Sequence, residues 1–463
     1  FSGGAADNRV NYRISGNLNR NLGVVPTSDY QRINLTGSSQ AQVNKNLKAD
    51  LSMLYVQSDN NQPFKGDNGP LIGLLLWPQT DKASDFLTAA GTRRRITALG
   101  QGAETDNPYF SVNKNIINSK VTRFYPNFGL TFTPFSWGYV KTNIGVDNYT
   151  NSNVIARNPE SVTGFSNNGI LDNAVDVTRN ISTQTLFNVN RINITNSLTL
   201  SGLVGHSLQD AKSTVNAESG RNFLDPNFVS INNTEVVTRF ARTSIAQRRL
   251  VSVFGQMQLG WRDYAFLTVT GRNDWTSTIP VERNSFFYPS VSGAFVLSDA
   301  VPAIGRFMTA KLRTSYAEVG KDAQPYSYRP FLESKTTTGG GYGYGFTGPN
   351  LNLAPEFKRS TEGGFELSAM NDRVGLDATY YSSITKDQIV QNIRGSYGTG
   401  FILFNLNGAR TRNVGVEVVA RAAPIKSRNV SWDITANYDQ SKGKVVALPN
   451  ALPESYVSDT WLY

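Results

Sequence analysis

From Val10 to Leu18 the chain alternates apolar and polar positions without a break. Val10, Tyr12, Ile14, Gly16 and Leu18 fall on one side of an extended strand; Asn11, Arg13, Ser15 and Asn17 fall on the other. The alternation returns along the whole sequence. Leu47, Ala49, Leu51, Met53 and Tyr55 oppose Lys48, Asp50 and Ser52, and Phe128, Leu130 and Phe132 oppose Gly129 and Thr131. Val140, Ile144 and Val146 oppose Lys141, Asn143 and Asp147, and Val251, Val253, Met257, Leu259 and Trp261 oppose Ser252, Gln256 and Gln258. Leu376, Ala378 and Tyr380, then Val414, Val416 and Val418, then Trp432, Ile434, Ala436 and Tyr438 continue the series. Segments of about ten residues with this period have the length of a tilted strand crossing a bilayer, and about fifteen of them are legible.

The connections sharpen the prediction. Short turns rich in Asn, Asp, Pro and Gly are expected at Asn44–Asn46, Thr133–Gly138, Asn196–Ser197, Arg262–Asp263, Asn371–Arg373 and Pro424–Asn429. They rotate with long stretches: Gln57–Lys120, Tyr149–Ser182, Ser207–Gln247, Asp274–Phe287, Val319–Lys358 and Thr385–Thr411. Short turns on one rim and long loops on the other is the asymmetry of a transmembrane antiparallel up-and-down β-barrel, with periplasmic turns and extracellular loops. A soluble sandwich would alternate too, but would not carry Lys, Asp, Glu and Arg on one face of strand after strand.

Composition agrees. The 463 residues are only 39% hydrophobic, with 25 Phe, 20 Tyr, 40 Gly and no Cys. Mean hydropathy is −0.33. A large barrel tolerates this because only every second strand residue must be apolar. The absence of cysteine excludes a disulfide framework and thiolate metal sites. The net charge of +10 is dispersed. It suits loop surfaces, anionic head groups or an anionic cargo, and no nucleic-acid motif accompanies it. The longest apolar run, Leu71–Trp77, is too short for a membrane-spanning helix and ends at Pro78. The chain opens at Phe1 without an initiating Met, so a trimmed piece of a longer polypeptide is expected.

Particular segments carry a family resemblance. FSGG (Phe1–Gly4), NYRISGNLNRNLGVV (Asn11–Val25), SDYQRINL (Ser28–Leu35), TGRNDWTS (Thr270–Ser277) and FFYPSVSGAFVLSD (Phe286–Asp299) resemble SusC/RagA-type TonB-dependent transporters of Bacteroidota. So do KLRTSYAEVGKDAQPYSY (Lys311–Tyr328), LDATYYSSITKDQIV (Leu376–Val390), NGARTRNVGVEV (Asn407–Val418) and SWDITANYDQSKGKVVAL (Ser431–Leu448). The resemblance spans nearly the whole chain. It implies a 22-stranded barrel closed by an N-terminal plug. It also implies import of oligosaccharides or peptides, energy from TonB–ExbB–ExbD, a SusD-like lipoprotein lid, and an outer-membrane setting among lipid and lipopolysaccharide. A homodimer of the SusC–SusD pair is compatible with it. Residues 1–463 are then a partial barrel domain, starting near the third strand, without plug, TonB box or last strands. The alternative role is a structural part of a larger envelope or secretion complex; a passive porin is a third reading.

No enzymatic chemistry and no cofactor is expected. His206 is the only histidine, read as a strand-end polar residue, and no carboxylate pair has acid–base spacing. The polar strand positions Arg13, Lys48, Asp50, Lys141, Asp147, Gln256, Glu366, Asp377, Glu417 and Asp433 are candidates to face the lumen, with several charges expected to pair with plug residues. Val10, Ile14, Leu51, Leu130, Ile144, Leu259, Leu376, Val416 and Ile434 are expected to face lipid. Trp137, Tyr139, Trp261, Tyr264 and Trp432 are candidates for an aromatic girdle. Tyr326, Tyr328, Tyr342, Tyr344 and Phe346 are candidate loop contacts to ligand or lid, with packing inside the loop as the plain alternative. Three arginines in TRRRIT (Thr92–Thr97) could meet lipid phosphates or the carboxylates of a neighbouring loop or lid. The Asn-rich stretch Ser58–Gly69 does not match the spacing of a calcium loop.

Overall fold

A computed structural model describes residues 1–5, 9–66, 69–96, 104–330, 332–334, 342–394, 398 and 400–449. Its first half contains β1 (Ser2–Gly4), β2 (Val10–Leu22), β3 (Asp29–Asn44), β4 (Leu47–Asn61), β5 (Ile116–Phe135), β6 (Gly138–Arg157), β7 (Ile170–Asn193), β8 (Leu198–Arg221) and β9 (Phe240–Trp261). The second half contains β10 (Ala265–Thr276), β11 (Ser285–Val296), β12 (Met308–Lys321), β13 (Leu332–Ser334), β14 (Tyr342–Tyr344), β15 (Glu356–Ala369), β16 (Val374–Arg394), β17 (Leu403–Lys426) and β18 (Ser431–Ala447). Sixteen strands form one antiparallel sheet in sequence order, with β1 and β18 at its edges; β13 and β14 make a separate hairpin. Every neighbour in the large sheet is also next in the chain or separated only by that hairpin, which is up-and-down topology.

The register carries the alternation across the sheet. Tyr12 pairs with Ser39, Ser39 with Leu51, Leu51 with Phe128 and Phe128 with Ile144. Directly paired residues share a face. Following the pairs from β2 to β18 puts Val10, Ile14, Leu51, Leu130, Ile144, Leu259, Leu376, Val416 and Ile434 on one apolar face. Apolar side chains there stay open to the surroundings: Ile14 is 58% exposed and Val204 61%. In water this would be an aggregation surface, whereas in lipid it is the solvated state.

Seven connections gather on one rim and eight on the other. The short rim has 45–46, 136–137, 194–197, 262–264, 370–373 and 427–430, as the turn residues predict. Arg262 and Asp263 both take positive φ (49° and 62°), the twist a tight hairpin needs. Two features depart from expectation. The β11–β12 connection contains two single-turn helices, α3 (Leu297–Ala300) and α4 (Pro302–Gly305), and β2–β3 closes with the short segment 23–28 on the long-loop rim. The loops are also shorter than the alternation suggested. β7 and β8 run 24 residues each, well past the membrane-length segment. Beyond the bilayer both faces are wet, so the hydrogen-bond ladder continues without an apolar face to mark it. His206 therefore lies inside β8, on the apolar face opposite Val253, rather than at a strand end. Among the described residues no helix is long and apolar enough to cross a membrane.

Candidate functional site

The face opposite the apolar one carries all ten polar strand candidates: Arg13, Lys48, Asp50, Lys141, Asp147, Gln256, Glu366, Asp377, Glu417 and Asp433. Several of its charges are paired within the wall itself. Arg123 of β5 grips Asp147 of β6 through Nε (2.8 Å) and Nη2 (2.6 Å). Glu366 and Asp377 lie directly opposite each other across β15–β16, a like-charge arrangement that would repel. Arg313 of β12 donates to both and to Thr379, and Lys311 approaches Glu366 at 3.3 Å. Gly364 makes that reach possible, since a Cβ there would come within 3.1 Å of Arg313 Nε. Arg272 donates to Asp274 (2.8 Å) and Ser252 (2.8 Å), and Tyr288 Oη donates to Asp274 (2.7 Å). Gln40 donates to Asp50 at 2.7 Å, with Lys48 at 4.0 Å. Asp433 accepts from Ser431. Asp147, Glu366 and Asp377 are thus held by arginines of nearby strands of the wall. Arg123, Arg272 and Arg313 were missed because periodicity names a face but not which strands meet.

The long-loop rim folds into two bodies. In the first, Arg93 donates to Glu104 and to Asp106 (2.6 Å), and its backbone N–H donates to Glu160 (2.8 Å). Asp106 also accepts from Ser161 Oγ and the Val162 N–H, and Asn115 and Asn158 extend the network to Pro226 O. Connections 62–115, 158–169 and 222–239 are thereby tied together, with Ala156, Leu171 and Phe223 as their apolar centre. Arg94 forks onto Asp81 (3.0 and 2.6 Å), and Trp77 Nε1 donates to the same carboxylate (2.9 Å). The Arg94 hydrogen bond holds the Asp81 carboxyl below the usual carboxylate range. Arg95 bridges to Glu104. The arginine triplet thus meets carboxylates of its own connection. Above this network α1 (Pro70–Leu76) presents Leu71, Leu74, Leu75 and Leu76, all exposed; α2 (Pro108–Lys114) packs below it, capped by Asn107.

The second body joins 277–284, 322–330 and 342–355 around Ile279, Ala323 and Leu353, with Ile389 of β16 packed against them. Tyr328 packs against this centre, while Tyr326 is exposed with φ 63°. Tyr344 is exposed and meets the Phe401 ring at 5.6 Å; Phe346 is exposed and its carbonyl accepts from the Ile402 and Leu403 N–H groups. The Tyr342 side chain and most of the glycine-rich stretch before it lie outside the described residues. At the short-turn rim Trp137 stacks on Phe135 (4.9 Å) and meets Phe187 edge-on, and Tyr264 meets Trp261 and Phe295 edge-on. Trp432 pairs with Ile425 at the same rim. Tyr139 falls on the polar face, among Lys141, Asn143 and Arg13.

A family model described as TonB dependent receptor-like, beta-barrel matches residues 56–461. TonB-dependent receptor P3 of Formosa agariphila is 25% identical over 468 residues, covering 97% of this chain and 45% of the relative. The chain spans under half the length of the curated relatives it matches. Among solved structures, the RagAB peptide importer in its closed-closed state superposes with a TM-score of 0.83 at 18% identity, over 99% of this chain and 51% of that chain. The ferripyoverdine receptor of the Pseudomonas aeruginosa outer membrane superposes with a TM-score of 0.62 at 12% identity, over 96% of this chain and 54% of that chain.

Proposed function

The chain belongs to the TonB-dependent receptor β-barrel family of the outer membrane, and on that premise we propose that it forms the wall of an importer for peptides or oligosaccharides. The ion-paired polar face carries the proposal. Where arginines and carboxylates of the lining satisfy one another, the wall is hydrophilic without a strong fixed charge to trap a passing solute. Such a wall suits polar cargo of variable sequence better than one tightly held ion. The fold likeness to the RagAB peptide importer supports the same direction.

In this reading charges left without ion-pair partners among the described residues, Arg13, Lys141, Glu417 and Asp433 among them, meet the plug or the cargo. The two loop bodies hold the exposed rings Tyr326, Tyr344 and Phe346 at the outer mouth, where a SusD-like lipoprotein closes on the cargo. TonB supplies the energy through the plug. The wall itself performs no bond chemistry; it supplies a rigid, polar passage.

The test uses the full-length protein in its own outer membrane. Deletion of the gene is expected to abolish uptake of labelled oligopeptides or oligosaccharides, dissipation of the proton gradient to do the same, and a surface lipoprotein to co-purify with the barrel. Uptake of both cargo classes at the undeleted rate would sink the proposal. Uptake that survives loss of the gradient would favour a passive pore instead.

A further inference from the structure

On the apolar side of the sheet, one row toward the long-loop side is rich in charge. It runs Glu318, Arg359, Ile384, Arg412, Lys444 from β12 to β18. Lys442 sits one step nearer the membrane band, opposite Val414, and Lys386 one step further out, opposite Phe357. Glu318 is committed to Arg359 (Nε at 3.0 Å). Lys386, Arg412, Lys442 and Lys444 make no ion pair among the described residues. Arg412 and Lys444 are direct cross-strand neighbours, an arrangement of like charges that destabilises a sheet unless an anion lies between them.

The level of this row decides what that anion is. Directly below it come Tyr316, Tyr380, Val414 and Val416 on the same face. Amphipathic rings above an apolar band mark the boundary of the hydrocarbon, so the cations stand at head-group height. On β8–β9 Arg249 is forked onto Asp210, while Arg179 and Lys212 pair across β7–β8 on the same face without an ion pair among the described residues. We infer that the outer surface of β15–β18 is a binding site for the phosphate groups of a phosphorylated glycolipid of the external leaflet. The Arg412 guanidinium takes one phosphate as a fork, and Lys442 and Lys444 neutralise it from the edge. The acyl chains lie down the apolar face over Val414, Val416 and Tyr380.

The experiment measures glycolipid bound to the full-length protein, purified in mild detergent, by native mass spectrometry with added diphosphorylated lipid A. The wild type is expected to retain it, and R412Q/K442Q/K444Q to bind roughly a hundredfold more weakly, about fivefold per cation near a charged surface. The charge-conserving K442R/K444R is expected to stay near wild type, and the single R412Q, a milder change to the fold, to lose about fivefold. Three outcomes would overturn the site: equal binding by the glutamine variants, equal binding of dephosphorylated lipid A by the wild type, or displacement by phosphatidylglycerol or inorganic phosphate at the same concentration as lipid A.

Discussion

Ile144→Arg tests the membrane face most directly. Ile144 is 44% exposed on the apolar face and flanked by Phe128 and Thr183 across the two ladders. Gly138 begins the strand at the aromatic rim beside Trp137. Six residues at about 3.3 Å, tilted by about 40°, raise Ile144 about 15 Å above that rim. The apolar band of such barrels is about 25 Å tall, so the side chain sits within about 3 Å of the midplane. An arginine there costs roughly 2–4 kcal/mol. Asn148 is on the same face, about 10 Å higher by the same geometry and near the band's far edge, so Asn148→Arg is expected to cost only about 0–1 kcal/mol. Asn143→Arg, on the polar face, is expected to be tolerated like Asn148→Arg. The assay is a denaturant titration of the full-length barrel refolded into lipid vesicles. Equal stability of the Ile144 and Asn143 variants would refute the assignment of faces, and equal costs at 144 and 148 would refute the placement of the midplane.

The remaining predictions concern the loops and the packing of the wall. Arg93→Ala leaves Asp106 buried without its cation and Glu104 with Arg95 alone, so local destabilisation of about 3–5 kcal/mol is expected, read as faster hydrogen exchange around 104–115. Asp81 has a folded-state pKa below its unfolded value, so the stabilisation from its Arg94 bond is present above about pH 4 and fades as pH falls further. The Trp77 emission should report that transition, and D81N should remove it. Gly205 lies under the Phe254 ring, where an added Cβ would come within 2.5 Å; Gly205→Ala is expected to cost about 1–3 kcal/mol in the same refolding assay, with no cost taken as evidence that the ring swings away freely.

Alternation made the faces legible because a strand's period is two and a bilayer punishes exceptions. Val10, Leu130 and Ile434 needed no register to be placed. What it could not supply was partner choice. Arg313 and Asp377 are 64 positions apart, and only the closed ladder β12–β15–β16 brings them together. Tyr139 shows the opposite limit: an aromatic at a strand end looks like a girdle residue, but its odd position turns it to the polar side. The loop bodies were illegible for a third reason. Arg93, Asp106 and Ser161 have no period to betray them, and their burial comes from hydrogen bonds between connections far apart in the chain.

The two faces obey one electrostatic rule with different results. On the polar side Asp147, Glu366 and Asp377 are neutralised by arginines of nearby strands, which leaves less bare charge to bind a passing solute. Where charge stands on the membrane side, Arg249 and Asp210 follow the same rule, while Arg179 and Lys212 face each other without an ion pair among the described residues. The surplus at Arg412, Lys442 and Lys444 breaks it, at the one height where a bilayer supplies its own anions. A wall that draws compensation from the membrane at that height is anchored at a defined depth.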